Sequence, residues 1–256
     1  MDTTGTGSVR IGIPFLALAV VLVLAAVLIG LWSRIGNRTD VITAAVRAVV
    51  QLAAVSAVIG VVLRAWWSTI AFLVLMSLVA AGTSARRVTG SLRPRSWWTW
   101  LSILAGVVPV LALILVSTVL PLHPVALLPS AGILIGGAMT ATSIAGRRLH
   151  EELLDRRGEY EALLSLGFLP ADAIRTLGRP VAELALVPGL DQTRTVGLVT
   201  LPGAFVGVLL AGASPWQAGA TQLLILLGLL VVQATAVAVT VELVARGPLA
   251  PAGLPT

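Results

Sequence analysis

Long apolar runs separated by short arginine-bearing gaps dominate the chain. Seven runs, near residues 12–33, 41–63, 66–82, 98–120, 125–146, 195–213 and 216–245, are long enough, or nearly so, to cross a hydrocarbon core that takes roughly 20 helical residues. The third is short, and the last is long enough to tilt or to continue into an interfacial helix. Lipid offers backbone polar groups no partner, so each run is predicted to be helical. The first run outlasts a signal-peptide core and no small-x-small site ends it cleanly, so it is read as a retained helix. The pattern predicts an all-α polytopic integral membrane protein of about seven transmembrane helices, one domain over residues 1–256.

Composition agrees. Of 256 residues, 57% are hydrophobic and 11% charged, with mean hydropathy +1.01, whereas soluble domains carry about 25% charged residues. There is no cysteine, which removes disulfides, thiolate metal ligands and cysteine nucleophiles. The net charge of +6 comes from arginine alone, because the chain has no lysine. A basic balance can signal nucleic acid. Here the arginines lie in gaps between apolar runs, which fits membrane topology and argues against a nucleic-acid partner. Fourteen follow the first, third, fifth and seventh runs; the opposite side holds only Arg10 and Arg64. The positive-inside rule therefore predicts N-terminus out and C-terminus cytoplasmic. Trp32, Trp66, Trp67, Trp97, Trp98, Trp100 and Trp216 sit at run ends, as an interfacial aromatic belt requires.

The one sizeable polar segment, 147–194, holds eight of the eleven acidic residues and seven arginines. It is predicted to be a cytoplasmic element between the fifth and sixth helices, too short for a nucleotide-binding domain. Glu151, Asp155 and Glu159 are spaced four apart, as on a solvated helix. Inside it Glu161-Ala162-Leu163, three residues and Gly167 are followed by Leu177-Gly178-Arg179-Pro180. A helix ending at a glycine and a second starting at Pro170 would make a hairpin. Such a hairpin is either a simple cap on the bundle or a lever.

The same residues resemble the EAA loop of bacterial ATP-binding-cassette importers, with Leu163 and Arg179 departing from its pattern. A wider resemblance runs in order from about 47 to 222. Arg47-Ala48-Val49-Val50-Gln51-Leu52, the stretch Leu128 to Met139, Leu164 to Pro170, Pro188 with Asp191, Thr195 to Gly203, Ala211-Gly212 with Pro215, and Gln222 are similar to the Fet-type iron-export permease family. Gly137 stands where that family often has asparagine, and Ala204 and Phe205 where it often has methionines. The resemblance implies the permease subunit of an ABC transporter in a bacterial cell (inner) membrane, linked to iron or other metal-ion export. It implies no cofactor on this chain, ATP bound by a separate cytoplasmic ATPase subunit, and coupling through 158–180, with Glu161, Ala162, Gly167, Pro170 and Pro180 as coupling residues.

Polar and small residues inside the runs are candidates for a pathway or a gate. Arg47 and Gln51 lie four apart on one helical face, and a membrane arginine needs a partner, such as Asp40 or the 147–194 segment. Gly132 and Gly136, and Gly203 and Gly207, form small-residue stripes that allow close helix approach, static or sliding. Pro202 would permit a kink. Gln222 and Gln233 share a face of the last helix, and Met139 is a soft donor that also reads as core. Glu242 is expected to pair with Arg246.

No phosphate-binding G-x-x-x-x-G-K-S/T loop occurs, and neither H-E-x-x-H nor G-x-S-x-G is present. The function expected is transport with a borrowed ATPase, by two permeases and two ATPases around a symmetric pathway. A stand-alone secondary transporter and a non-transporting membrane regulator stay open.

Overall fold

The computed structural model describes residues 12–34 and 38–251. Arg10, which enters the orientation argument, lies outside them. They fall into two compact units, one running to Val62 and one from Leu63 onward. The first unit is a pair of helices, α1 (Ile13–Ser33) and α2 (Arg38–Val62). Apolar residues surround α1 on every side and none of them is buried, as expected of a helix whose solvent is lipid.

The second unit contains α3 (Trp66–Thr89), a 3-10 turn at Pro94–Trp98, α4 (Thr99–Val116), α5 (Pro124–Asp155), α6 (Arg157–Ser165), α7 (Pro170–Ala182), a second 3-10 turn at Glu183–Leu186, α8 (Val187–Thr195), α9 (Gly203–Leu210) and α10 (Pro215–Ala245). Among the described residues six helices are long and apolar enough to cross a membrane: α1, α2, α3, α4 with its leading turn, α5 and α10. Helix α3 runs past residue 82 because its polar side chains find partners within the helix and on α5. Thr83 Oγ1 donates to the Val79 carbonyl at 2.8 Å, and Ser84 Oγ donates across to the Met139 carbonyl at 3.1 Å.

Helices α5 and α10 form the spine. Near the arginine-rich end, Ala141 to Leu153 pack with Val237 to Ala245. Further along, Leu134 to Ala138 pack with Leu229 to Ala236. The two helices are therefore parallel. Glycines set the closest approaches. A Cβ on Gly106 would lie 2.6 Å from the Val232 carbonyl, and one on Gly146 would lie 2.6 Å from Val88 Cγ2. In lipid such close packing of small residues replaces the hydrophobic drive between helices.

The run at 195–213 is not one helix, which corrects the expected sixth span. Gly197 adopts φ +82, and its N–H reaches the Thr200 carbonyl at 2.9 Å, closing a turn. Pro202 then lacks an N–H and holds Leu201 out of the helical region. Only the eight residues of α9 follow as helix. Because α5 and α10 are parallel, the chain between them must return to the far end of the spine. It does so by α8, an irregular stretch at 196–202, and α9.

Candidate coupling hairpin and membrane pathway

The α6–α7 hairpin is built by its turn. Gly167 takes φ +91, a left-handed conformation that costs a residue with a Cβ. The Phe168 N–H bonds to the Leu163 carbonyl (3.1 Å) and the Gly167 N–H to the Leu164 carbonyl (3.0 Å). This double closure satisfies the helix end. Ala162 accepts from Leu166 at 3.0 Å. Pro170 opens α7, where its missing N–H costs nothing. Leu166 and Leu169 at the tip are 76% and 68% exposed. Glu161 stands on the outer face of α6, paired with Arg157 Nε at 2.9 Å.

The expected acidic row at 151, 155 and 159 is broken, because α5 ends at Asp155 and α6 starts at Arg157. Arg156 fills the joint. It donates to Glu152 at 2.9 Å and grips Glu159 through both its Nε and a terminal nitrogen. That grip holds the Glu159 carboxyl below its ordinary range and raises the guanidinium.

Helix α7 ties the hairpin to the spine. Its buried face carries Ala173, Ile174, Leu177, Gly178 and Ala182. Gly178 lies so close to Leu149 of α5 that a Cβ there would overlap the leucine. Arg175 donates to both oxygens of Glu242 on α10, at 2.9 and 2.8 Å, and to Asp172 at 2.7 Å. These bonds raise the Arg175 pKa. The expected Arg246–Glu242 pair is also present, at 3.2 Å. Pro180 is exposed near the end of α7 and does not interrupt it.

The membrane candidates separate. Arg47 and Gln51 are exposed on α2 within the first unit, and no described residue forms an ion pair with Arg47. A Cβ on Gly132 would lie 3.2 Å from Met76 Cε, while one on Gly136 would meet nothing. Met139 is half-buried on α5, its carbonyl accepting from Ser84 and Ser143. Pro202 caps α9. Gly203 and Gly207 line a cavity of about 950 Å³ with Pro129, Ser130, Thr221 and Ile225. Gln222 and Gln233 are both buried on α10, and each Oε1 lacks a partner. Among the described residues no group of three or more potential ligands could hold a metal ion.

A family model described as "Uncharacterised protein family (UPF0014)" matches residues 14–248. The chain belongs to the UPF0014 family. It is 33% identical over 213 residues to the UPF0014 membrane protein STAR2 of rice, covering 81% of this chain and 73% of that protein. It is 32% identical over 216 residues to the Arabidopsis protein ALUMINUM SENSITIVE 3, covering 82% and 77%. To the probable iron export permease protein FetB of Escherichia coli it is 29% identical over 211 residues, covering 82% of each. No solved structure matches it. This UPF0014 chain is thus a multi-pass membrane protein, similar to a probable iron export permease.

Two features of the UPF0014 chain are invisible in sequence spacing. Arg175 and Glu242 are 67 residues apart, and only the amphipathic face of α7 hints that this helix docks. Gly189 of α8 lies against the Gln233 amide so tightly that a Cβ would collide with it, and Gly137 of α5 meets Leu229 in the same way. Neither glycine belongs to a G-x-x-x-G pair, the pattern that sequence reading favours.

Proposed function

We propose that this protein is the membrane-spanning permease of an ATP-binding-cassette transporter that exports iron or another metal ion. The separate ATPase subunit holds ATP and seats on the α6–α7 hairpin. The permease itself is not an enzyme. The arginine-rich end is cytoplasmic, which puts the hairpin within reach of a soluble ATPase. The observation that carries this reading is an exposed apolar tip at Leu166 and Leu169 on a hairpin bonded to the spine through Arg175 and Glu242. An apolar turn on the aqueous side wants a partner, and a hairpin with a rigid attachment can transmit what that partner does.

The mechanism follows from the attachments. Closure of the ATPases pushes the tip. Helix α7 passes the displacement to α10 through the ion pair and to α5 through the Gly178–Leu149 contact. Where α5, α8 and α10 meet, around Gly137, Gly189 and Gln233, small residues allow the helices to slide. Two copies enclose the pathway, and Gln222 and Gln233 offer it unpaired carbonyl oxygens, hard donors suited to a cation. Metal ions as cargo rest on the similarity to FetB.

The test is reconstitution. Permease and its ATPase, purified together, are expected to show ATP-dependent metal-ion export from vesicles. A Leu166→Asp/Leu169→Asp variant should lose both association and flux while remaining folded. Flux by the lone permease would make it a secondary transporter. Association without flux of any metal ion would make it a regulator. Either result overturns the proposal.

A further inference from the structure

A second cavity, of about 690 Å³, opens at the arginine-rich end; Tyr160, Pro170 and Ile174 at the inner side of the hairpin contribute to its lining, and the glutamines of α10 do not. Its volume falls in the roughly 300–1,000 Å³ range of ligand pockets. Arg93, Arg95 and Arg246 line it, together with Ser91 and His150. No carboxylate lines it among the described residues. The neighbouring hollow under α7 is different: there Asp172 and Glu242 face Arg175, Arg179 and Arg246, and most of the positive charge is compensated internally.

The C-terminal residues build one wall. After α10, Gly247 turns at φ +98, and the chain folds back so that Leu249 is buried. Arg95 donates to the Gly247 carbonyl at 2.9 Å, and His150 Nε2 lies 2.7 Å from the Leu249 carbonyl oxygen. The wall is therefore fixed by two long-range bonds. Arg93 forms no ion pair with any described residue, and Arg95 spends one nitrogen on a neutral carbonyl. Arg246 is paired with Glu242 through its Nε at 3.2 Å, so the uncompensated charge of the rim comes from Arg93 and Arg95, and a cavity with that excess is built to receive an anion.

Depth narrows the class. Trp97 and Trp98 follow Arg95 in the same 3-10 turn and are exposed. Exposed tryptophans at a span end mark the headgroup layer, where basic pockets between helices hold acidic headgroups. We propose that this cavity binds a phosphate group at the membrane surface, gripped by Arg93, Arg95 and Arg246. The phosphate comes either from an anionic phospholipid or from a soluble phosphate.

The full-length permease, purified in a neutral detergent, tests this through its melting temperature. Phosphatidylglycerol is expected to raise it by several degrees and phosphatidylcholine to leave it unchanged. If inorganic phosphate produces no rise, the ligand is the lipid headgroup; if it produces a comparable rise, the ligand is the soluble ion. Arg93→Gln/Arg246→Gln should abolish the gain. Arg86→Gln/Arg87→Gln, which removes equal charge from exposed positions at the same end, should retain it. The site is overturned if neither phosphatidylglycerol nor phosphate shifts the melt, if the gain survives in the first variant, or if it is lost equally in the second.

Discussion

Gly167 shows how much one backbone conformation governs. Its φ of +91 places Phe168 to donate back into α6 and starts α7 three residues later. A β-branched residue there carries the left-handed penalty of about 1–2 kcal/mol. Gly167→Val is expected to lower hairpin stability by that amount and to weaken ATPase capture, while the melting of the membrane helices moves little. A pull-down paired with a thermal melt checks both halves. Glu159 has a smaller effect. Its carboxyl is held below the usual 4.5 by Arg156, so the bond stabilises the folded state above that pH. The contribution is lost as pH falls through the lowered value. Because the pair is exposed, the loss is slight. Melting curves of wild type and Glu159→Gln should run together at low pH, and wild type should lie slightly higher near neutrality.

At the scale of elements, α7 is the joint. Its ion pair to α10 is bidentate, and Arg175 is only about a quarter exposed, at 24%. If this bond transmits force, Glu242→Gln should leave ATPase binding intact but lower ATP-driven flux at least about fivefold, the low end of typical intersite coupling. Exchanging the partners, Arg175→Glu with Glu242→Arg, should restore part of the flux. A merely stabilising bond would move the melting temperature and the flux together, so measuring both decides the matter. The sequence made some of this legible and hid the rest for definite reasons. Apolar length alone marks α1, α2, α4, α5 and α10, because lipid demands it. Gly167 and Pro170 mark the hairpin, because turns need special residues. Arg175 with Glu242, and Gly189 with Gln233, are contacts between distant segments, and no local pattern encodes them. The run at 195–213 misled because hydropathy counts apolar residues without asking whether Gly197 and Pro202 let them be helical.

At the scale of the whole molecule, that broken crossing sets a demand. Helix α8 touches α10 at Gln233 through Gly189, and α9 shares a cavity with Thr221 and Ile225. The irregular stretch 196–202 joins these two levels, beside the middle of α10. Leu198, Val199 and Leu201 are 92%, 77% and 66% exposed on it. The turn bonds the amides of 197–200 internally, to the Thr195 and Thr200 carbonyls, but the other backbone groups of a non-helical segment at such depth need protein or a water-filled cavity, since each unsatisfied group costs several kcal/mol in hydrocarbon. A second permease copy would supply the cover and would place the break at the shared pathway. The chain has no cysteine, so a single introduced thiol reports without background. Leu198→Cys in intact membranes is expected to form an oxidation-dependent dimer linked copy to copy. Leu113→Cys, on the exposed face of α4, needs no cover because a helix satisfies its own backbone, and should stay monomeric. If the two variants behave alike, the break does not lie between paired copies, and the symmetric pathway loses its main structural support.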